Sequence, residues 1–325
     1  MTTYTPIRGL AVAVAVLTFR RPGDLEAVLP HLVRQAGELR SRECAVEVLV
    51  VDNDAGGSAR QTVRPWASDG VRYVVEPVPG IAAARNRALA EAHGADLLVF
   101  IDDDERPHDG WLGLLLDTWR STGAQAVAGA VVSELPGEMD AWAGAGDFLR
   151  RRRLRTGTPI DVAATNNLLL DLSFVRRHGL LFDERFGLSG GSDTLFTRRL
   201  VAEGGLLVWC DEAVVTDQVP ADRLTREWVL RRAFRSGNTA VRVDVVLAAG
   251  PGARTVARAR AAARGSARLA GGGVRWAMSS LARADHSAAR GLRTAARGAG
   301  MLAAVAGMVY REYRRDPAPP GAARR

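Results

Sequence analysis

The sequence contains no lysine, and all 44 of its basic residues are arginine. Because alanine and glycine are also abundant, this bias indicates a GC-rich genome before it indicates selection for guanidinium chemistry. There are only two cysteines, Cys44 and Cys210, and their separation argues against a disulfide framework and for a reducing, cytoplasmic setting. The N-terminal region lacks the parts of a signal peptide. The apolar run at 10–17 is too short to span a bilayer and is typical of a buried strand.

Acidic residues are scarce near the end of the chain. From Gly250 onwards there are fifteen arginines and three acidic residues, which gives this part a net charge of +12. Since the whole chain carries +8, residues 1–249 carry about −4. A length of 325 residues suits one domain with an appendage. The sequence therefore predicts a body at 1–245 and a basic, helical Ala/Arg-rich tail at 246–325, whose end is disordered.

Apolar runs alternate with amphipathic or capped segments through the first half of the chain. Strands are predicted at 10–18, 46–52, 71–76, 96–102 and 125–133, and helices at 23–37, 57–66, 80–93 and 109–121. Nearly continuous apolar strands separated by helices indicate an α/β protein whose parallel sheet is covered on both faces. Ligands bind such sheets where the strands end. The polar residues at these ends are Thr18, Asp52-Asn53-Asp54, Glu76 and Asp102-Asp103-Asp104.

The second half has a less regular pattern. Residues 134–162 predict a long loop, of the kind that forms a lid or binds an acceptor, with disorder as the alternative. Regular structure is predicted to resume at 163–170, followed by a helix near 192–204, strands at 206–209 and 213–216, and a helix at 223–236.

Asp102 and Asp104 are two residues apart in a predicted extended segment, so both side chains are expected on one side. Paired carboxylates of this kind suit Mg²⁺ or Mn²⁺, which keep water ligands and also bind substrate phosphates. An acidic turn or a helix N-terminus before Trp111 is the alternative interpretation.

Six segments occur in a characteristic order and spacing. They are TFRRP at 18–22, VVDND at 50–54, PGIAAARNRAL at 79–89, FIDDDERP at 100–107, TNNLLL at 165–170 and GLSGGSDTLFTRRL at 187–200. Together they resemble glycosyltransferase family 2, and most closely its ExoM-type polysaccharide glucosyltransferases, over about residues 10–240. The resemblance implies a GT-A fold, which is Rossmann-like, with a mostly parallel sheet and helices on both faces.

The resemblance implies roles for residues around the donor nucleotide. Thr18 and Arg20 match the loop that contacts the base, and Asp52 matches the acid that accepts a hydrogen bond from uracil N3–H. Arg85 and Asn86 match the ARN that opens the helix along the nucleotide, although an ordinary helix surface is the alternative. A UDP-sugar is therefore favoured, with GDP- and dTDP-sugars as alternatives.

The triplet Asp102-Asp103-Asp104 matches the DxD motif of the family. This implies that Asp102 or Asp103 contacts the ribose and that Asp104 binds Mn²⁺ or Mg²⁺ directly, with Asp102 as a further contact. The ion would hold the diphosphate and neutralise the charge of the leaving group. Many relatives add a histidine near the end of the domain, where this chain has VVTDQVPADR. Asp217 is the expected replacement, and Gln218 or water is the alternative.

The segment GGSDTLFTRRL matches the GGED motif and implies that Asp193 is the general base. Its carboxylate would deprotonate the acceptor hydroxyl as that oxygen attacks the anomeric carbon, which inverts the configuration. A helix N-cap is the alternative role for an aspartate at this place. Ser192 stands where the family usually has glutamate, which leaves the acceptor class open.

Three further residues are assigned by the same resemblance. Gly191 lets the backbone approach the sugar closely. Asn167, together with its neighbour Asn166, lies near the donor sugar, whose hydroxyls satisfy a buried amide. Arg232, in a basic helix, reaches the diphosphate, although an exposed basic helix face is equally compatible with the pattern.

These observations predict an inverting, metal-dependent hexosyltransferase that uses a nucleoside diphosphate sugar. The acceptor is a glycan, a polyprenyl-linked saccharide or a natural product. A GT-A domain that binds nucleotide sugars without transfer, or a basic-tailed scaffold of a polysaccharide assembly complex, is the alternative. No GxGxxG follows the first strand, which argues against a dinucleotide-dependent oxidoreductase. The N-terminal region also lacks a glycine-rich phosphate loop, which argues against a nucleotide-sugar pyrophosphorylase.

The basic tail leaves two interpretations of its partner. Arginines at helical spacing beside a short apolar stretch predict contact with an anionic membrane, here the inner face of the plasma membrane. Packing of the tail on the body or on a partner protein is the alternative. A nucleic acid is not expected, because the predicted crevice is acidic and aromatic residues make up only 6% of the chain.

Overall fold

The computed structural model describes residues 9–41, 44–137, 142, 144, 146, 148, 149 and 151–311. Eight strands of this part of the chain form one sheet. The strands are β1 (Ala11–Thr18), β2 (Ala45–Asp52), β3 (Val71–Val75), β4 (Leu97–Asp102), β5 (Glu105–Pro107), β6 (Ala126–Glu134), β7 (Asn167–Asp171) and β8 (Leu207–Gln218).

Helices connect and flank these strands. The α-helices are α1 (Pro22–Arg40), α2 (Arg60–Val63), α3 (Ile81–Glu91), α4 (Trp111–Thr122), α5 (Leu172–Arg177), α6 (Ser192–Ala202), α7 (Arg226–Leu247), α8 (Gly250–Leu281) and α9 (Asp285–Val305). Short 3₁₀ helices lie at Arg64–Asp69, Glu184–Phe186 and Ala221–Leu224. Among the described helices, none is long and apolar enough to cross a membrane.

The strands are arranged in the order β3-β2-β1-β4-β7-β6-β8-β5. β3, β2, β1 and β4 are parallel neighbours, and so are β6 and β8, whereas β7 and β5 run antiparallel to the strands beside them. The predicted fold class, an α/β protein of GT-A type with a helical C-terminal region, is confirmed. The sheet is more mixed than predicted, because β5 and β7 each enter it in the opposite direction.

Both faces of the sheet are buried, which explains why its strands read as continuous apolar runs. Alternate residues of a strand point to opposite faces. Val14 of β1 therefore packs in a core with α1 and α4, whereas its neighbour Ala15 packs in a second core with α3 and α6. Because each face needs apolar side chains, no polar residue interrupts β1 before Thr18.

The first five predicted strands and the helices α1, α3 and α4 are confirmed, with ends that differ by one to three residues. The predicted helix at 57–66 is a four-residue helix followed by a 3₁₀ segment. The two short strands predicted at 206–209 and 213–216 are one strand, β8, whose pairing with β6 shifts register opposite Gly129/Ala130. Within the loop predicted at 134–162, residues 138–141, 143, 145, 147 and 150 lie outside the described part.

The tail forms two long helices, α8 and α9, that pack against each other and against α7. Small residues allow this close contact, since a Cβ on Gly300 would overlap the carbonyl oxygen of Phe234 in α7. Of the two alternatives for the tail, packing on the body is therefore observed. The predicted boundary after residue 245 falls two residues before the end of α7, and it stays a prediction. Residues 312–325 lie outside the described part.

Candidate active site

An open cavity of about 480 Å³ lies at the carboxyl ends of β1 and β4 and is closed on its far side by α7. The parallel strands end level with one another, because Thr18 pairs with Asp52 and Leu17 pairs with Asp102. This is where a parallel sheet brings strand-end side chains together. The acidic lining residues are Asp102, Asp103, Asp104, Glu105 and Asp217, and the basic ones are Arg21, Arg151, Arg223, Arg232 and Arg235.

The acidic wall is built around the turn that follows β4. The hydroxyl of Thr18 donates a hydrogen bond of 2.8 Å to Asp103 Oδ2. Arg21 lies between the two acids that follow, with its Nη1 at 3.4 Å from Asp103 Oδ1 and 3.0 Å from Asp104 Oδ2. Arg21 therefore places a positive charge between the carboxylates of Asp103 and Asp104.

Three of these acids are held in an environment that disfavours their charged form. Burial and the neighbouring charge of Asp104 raise the pKa of Asp102 to about 7. Burial raises the pKa of Asp103 to about 6, against the opposing effects of Thr18 and Arg21. Burial and Asp102 raise the pKa of Glu105 well above its usual range. A bound cation would relieve this repulsion, so the electrostatics of the wall fit a divalent metal.

The donor atoms of the wall also fit Mg²⁺ or Mn²⁺, since they are carboxylate oxygens. Within the described residues, however, no three acidic, histidine or cysteine side chains converge as a ready-made metal centre. Asp102, Asp104 and Asp217, the three predicted ligands, do line the same cavity. Such a set suits a metal that completes its coordination with water and substrate phosphate.

Asp217, near the end of β8, also lines the cavity. It ends the pairing of β8 with β5, where it is opposite Glu105. Its carboxylate accepts a hydrogen bond from Arg151 Nη2. Glu105 accepts a bond of 2.5 Å from the Asn166 amide. Both pairs join residues more than sixty positions apart, so the sequence pattern did not reveal Glu105 or Arg151 as parts of the site.

Arg85, Ser192 and Asp193 form a group behind Asp102. Arg85 Nη1 donates a 2.6 Å hydrogen bond to the hydroxyl of the buried Ser192, and its charge opposes the rise in the pKa of Asp102. Asp193 lies in the first turn of α6, where its Oδ1 accepts a bond of 2.7 Å from the backbone N–H of Thr194. It is close enough to contribute to the raised pKa of Asp102.

The chain is similar to known proteins both in sequence and in fold. The family model for Glycosyl transferase family 2 matches residues 13–175. Succinoglycan biosynthesis protein ExoM of Rhizobium meliloti (strain 1021) is 36% identical over 237 residues, which cover 72% of this chain and 75% of that protein. The chain belongs to glycosyltransferase family 2.

Two solved structures with a similar fold come from more distant proteins. The mannosyltransferase PcManGT from Pyrobaculum calidifontis, in complex with GDP-Man and Mn²⁺, has a TM-score of 0.58 at 20% identity and covers 90% of this chain and 87% of its own. S. aureus TarS 1–349 in complex with UDP has a TM-score of 0.51 at 16% identity, over 94% of this chain and 95% of that one. Because the identities are low, these two similarities show only that the chains share a fold.

The structure does not support three of the predicted nucleotide contacts in this transferase. Asp52 has no exposed surface, and its carboxylate accepts bonds from the backbone of Asp54 and Ala59 and from the Tyr73 hydroxyl. The amide of Asn86 is bonded on both sides to the backbone of Phe182. In this structure both side chains are bonded to other parts of the protein, and their contact with a nucleotide stays a prediction.

The third departure concerns the loop after β1. Arg20 is exposed and directed toward Asp54, at 3.3 Å, whereas its neighbour Arg21 lines the cavity. Residue Arg20 has φ of +55°, which turns the chain sharply between β1 and α1. Thr18 lines the cavity, and the contact of Arg20 with a nucleotide stays a prediction.

Asn167 and Gly191 of the transferase also have structural contacts. The buried Asn167 amide accepts from the Trp111 indole N–H and donates to the carbonyls of Ala130 and Ala213. Its neighbour Asn166 is the one that lines the cavity. Gly191 has φ of +97°, and a Cβ there would overlap the methyl group of Thr239. The close approach at Gly191 is therefore to α7.

The predicted Arg232 lines the cavity, and so does Arg235 of the same helix, whereas Arg231 forms an exposed ion pair with Glu227. The guanidinium of Arg232 lies over the Trp228 ring at 4.9 Å. Burial and the nearby Arg151 lower the pKa of Arg232 to about 10. An anion beside this group would be favoured, because it would offset the repulsion.

The raised pKa of Asp102 predicts a stability that depends on pH. Between its unfolded pKa of about 3.9 and its folded pKa of about 7, the folded protein binds the extra proton. The folded state therefore loses stability as the pH rises through this interval. In EDTA, Asp102→Asn should unfold at a higher temperature than the wild type at pH 8, by a few degrees, and at the same temperature near pH 4.

That difference corresponds to about 1–2 kcal/mol, after allowance for the partial exposure of Asp102. Asp161→Asn, which removes one exposed carboxylate away from the cavity, is the control for the change in net charge. Melting temperatures measured by calorimetry from pH 4 to pH 8 test the prediction. A constant difference between Asp102→Asn and wild type across this range would contradict it.

Proposed function

We propose that this glycosyltransferase transfers a sugar from a nucleoside diphosphate sugar to an acceptor hydroxyl, with inversion and with the help of a divalent metal. The observation that carries the proposal is the division of the cavity into two oppositely charged walls. Asp102, Asp104 and Asp217 form one wall, and Arg232 and Arg235 contribute to the other. A diphosphate bound between them would contact a metal on one side and guanidinium groups on the other.

Each of these residues has a defined role in the proposed reaction. Asp104, with Asp102 and Asp217, would hold Mn²⁺ or Mg²⁺, which when bound supplies positive charge to the leaving diphosphate. Arg232 and Arg235 would contribute charge from α7, and their positions are fixed before the reaction. Asp193 would accept the proton of the acceptor hydroxyl as the oxygen attacks the anomeric carbon.

The donor class rests on the similar folds as well as on the cavity. PcManGT is in complex with GDP-Man and Mn²⁺, and TarS 1–349 is in complex with UDP. We propose a nucleoside diphosphate sugar as the donor of this chain because its cavity has an acidic and a basic wall. The preference for uracil stays a prediction, and the Asp52 carboxylate on which it rests has no exposed surface in this structure. UDP, GDP and dTDP are therefore tested side by side.

Nucleotide binding by the full chain tests the proposal directly. In calorimetric titrations, at least one of UDP, GDP and dTDP should bind more tightly with Mn²⁺ than with EDTA, by tenfold or more. AMP with Mn²⁺ is the matched control, because it lacks the diphosphate. The corresponding nucleotide sugar should then be hydrolysed or transferred. Binding without turnover would favour a GT-A domain that only binds nucleotide sugars, and no binding at all would sink the proposal.

The helical hairpin formed by α8 and α9 supports a second proposal, that the enzyme associates with an anionic membrane. At the tip of this hairpin, Val274, Met278 and Leu281 are 61%, 66% and 88% exposed, and Arg275 and Arg283 lie beside them. Apolar side chains flanked by arginines are typical of a segment that enters the headgroup region of a bilayer.

Substitution of these three apolar residues by serine tests the membrane proposal. The triple variant should lose about tenfold or more of its binding to phosphatidylcholine vesicles that contain phosphatidylglycerol. Leu181→Ser with Leu206→Ser is the control, since both leucines are exposed on the body. Deleting the tail is a poor test, because α9 packs on α7. Equal co-sedimentation of triple variant and wild type would exclude the hairpin as the membrane contact.

A further inference from the structure

A second cavity, of about 260 Å³, lies directly beside the candidate active site. The two cavities share four lining residues, which separate one from the other: Leu149, Arg151, Trp228 and Arg232. The far side of the second cavity is formed by Arg152 and by Arg293 of α9. The tail therefore supplies part of a cavity that opens next to the predicted site of sugar transfer.

The second cavity is basic. Arg151, Arg152, Arg232 and Arg293 line it from three separate segments of the chain, and no acidic residue of the described part lines it. Arg151 is paired with Asp217 on the side of the first cavity. For Arg152 and Arg293, no carboxylate of the described residues lies within ion-pair distance. No described carboxylate therefore neutralises these two guanidinium groups, and that of Arg293 lies 5.3 Å from the centre of the Phe148 ring.

Burial and neighbouring arginines disfavour the charged form of two arginines in this cavity. Burial and the nearby Arg290 lower the pKa of Arg293. The guanidinium of Arg232 experiences the same opposition from burial and from Arg151 and Arg235. Bringing like charges together in a partly buried cavity costs free energy, and a bound polyanion would recover it.

The size and chemistry of that anion follow from the cavity. Guanidinium groups present forks of N–H donors that match the oxygens of phosphate, and several such groups together suit an anion with more than one negative charge. The Ser236 hydroxyl adds a further donor to the lining, and Val229 and Ala233 add an apolar floor. A volume of about 260 Å³ accommodates a phosphate or diphosphate group but leaves little room for a saccharide as well.

We infer that the second cavity binds the phosphate or diphosphate of an acceptor that is itself a phosphate ester. The acceptor would be anchored there while its hydroxyl extends past Arg151 and Arg232 into the first cavity. This inference rests on the proposed function, because it assigns the acceptor of that reaction. It also gives α9 a place in substrate recognition, since Arg293 belongs to that helix.

Binding of inorganic pyrophosphate to the full chain in EDTA tests the inference. Arg152→Ala with Arg293→Ala should weaken binding by about tenfold or more, because two charge-assisted contacts are lost. Arg254→Ala with Arg258→Ala removes the same charge from the exposed surface of α8 and should leave binding unchanged. Equal weakening by both pairs, or no pyrophosphate binding by the wild type, would overturn the inference.

A second measurement separates this site from the donor site. Neither Arg152 nor Arg293 lines the first cavity, so nucleoside diphosphate binding with Mn²⁺ should be unaffected in the Arg152→Ala/Arg293→Ala variant. Loss of nucleotide binding in parallel with pyrophosphate would assign both cavities to the donor and refute the inference. Failure of the proposed function would instead show as absent nucleotide binding in the wild type.

Further arms of the experiment distinguish two sources of the phosphate. Farnesyl diphosphate that binds more tightly than pyrophosphate would support a lipid-linked acceptor, and equal affinity would support a phosphorylated saccharide. Farnesol that binds as tightly as farnesyl diphosphate would contradict a phosphate site. If the alanine variant is poorly folded by calorimetry, Arg152→Lys with Arg293→Lys keeps the charge without the fork and should give an intermediate loss.

Discussion

Replacement of Asp193 by asparagine is expected to reduce sugar transfer by about 10²–10⁴-fold, because the acceptor hydroxyl would lose its general base. The change is nearly isosteric. The Oδ1 that accepts the Thr194 N–H is kept in asparagine, so α6 should retain its first turn. Nucleoside diphosphate binding with Mn²⁺ should be preserved, since Asp193 is not among the described residues that line the cavity.

Steady-state transfer and calorimetric binding of the nucleotide measure the two halves of this prediction. Asp222→Asn, which changes an exposed acid just before α7, is the control for charge and for handling. If Asp193→Asn transfers sugar at the wild-type rate, another group is the base. If it loses nucleotide binding as well, Asp193 acts on the donor site rather than on the acceptor.

Replacement of Asp104 by asparagine is expected to remove most of the tightening that Mn²⁺ gives to nucleotide binding, by about 100-fold. An amide oxygen is a weaker ligand than a carboxylate, and the substitution also releases Arg21 from its 3.0 Å contact. Asp54→Asn is a matched control, because Asp54 also follows a strand of the sheet and pairs with an arginine. Titrations with Mn²⁺ and with EDTA give the metal-dependent part separately.

Two outcomes of this titration have a clear meaning. A variant that binds the nucleotide weakly with and without Mn²⁺ has lost the predicted metal contact. A variant that keeps the full effect of Mn²⁺ would place the metal on Asp102 and Asp217 without Asp104. The same titration on Asp217→Asn then shows whether β8 contributes a ligand.

The sheet could be predicted from the sequence because its strands are buried on both faces. Continuous apolar runs such as 97–101 have no other common explanation in a chain of this length, and the ends of parallel strands lie at one edge. This is why the sequence could place Thr18 and Asp102 to Asp104 at the edge where they line the cavity. Arg232 was found because a resemblance to known transferases located its helix.

The direction of individual loop side chains could not be predicted. Arg21 and Asn166 line the cavity, whereas their neighbours Arg20 and Asn167 were expected to do so. Alternation is reliable within a strand, but Arg20 has a positive φ and so breaks it. Asp104 shows the same limit, since residues 103 and 104 form a turn and not the extended segment that placed it beside Asp102.

Contacts between distant segments of the chain also could not be predicted from the sequence. The ion pair of Arg151 with Asp217 depends on the pairing of β6 with β8, since Arg151 also bonds Ser133, which lies opposite Asp217. The second cavity requires α9 to lie against α7. The partners of Asp52 could not be predicted for a related reason. Its carboxylate accepts hydrogen bonds from the loop after β2 and from the Tyr73 hydroxyl, and the sequence alone does not distinguish such an aspartate from one that binds a ligand.

The packing of Gly300 against Phe234 has a consequence for how this enzyme can be recombined with its relatives. Helix α7 bears Arg232 and Arg235 on one side and holds α9 on another, so donor site and tail share a single rigid element. A chimera joined after residue 245 would combine an α7 surface from one parent with an α9 surface from the other. The natural unit of exchange therefore begins at Arg226 and includes α7, α8 and α9 together.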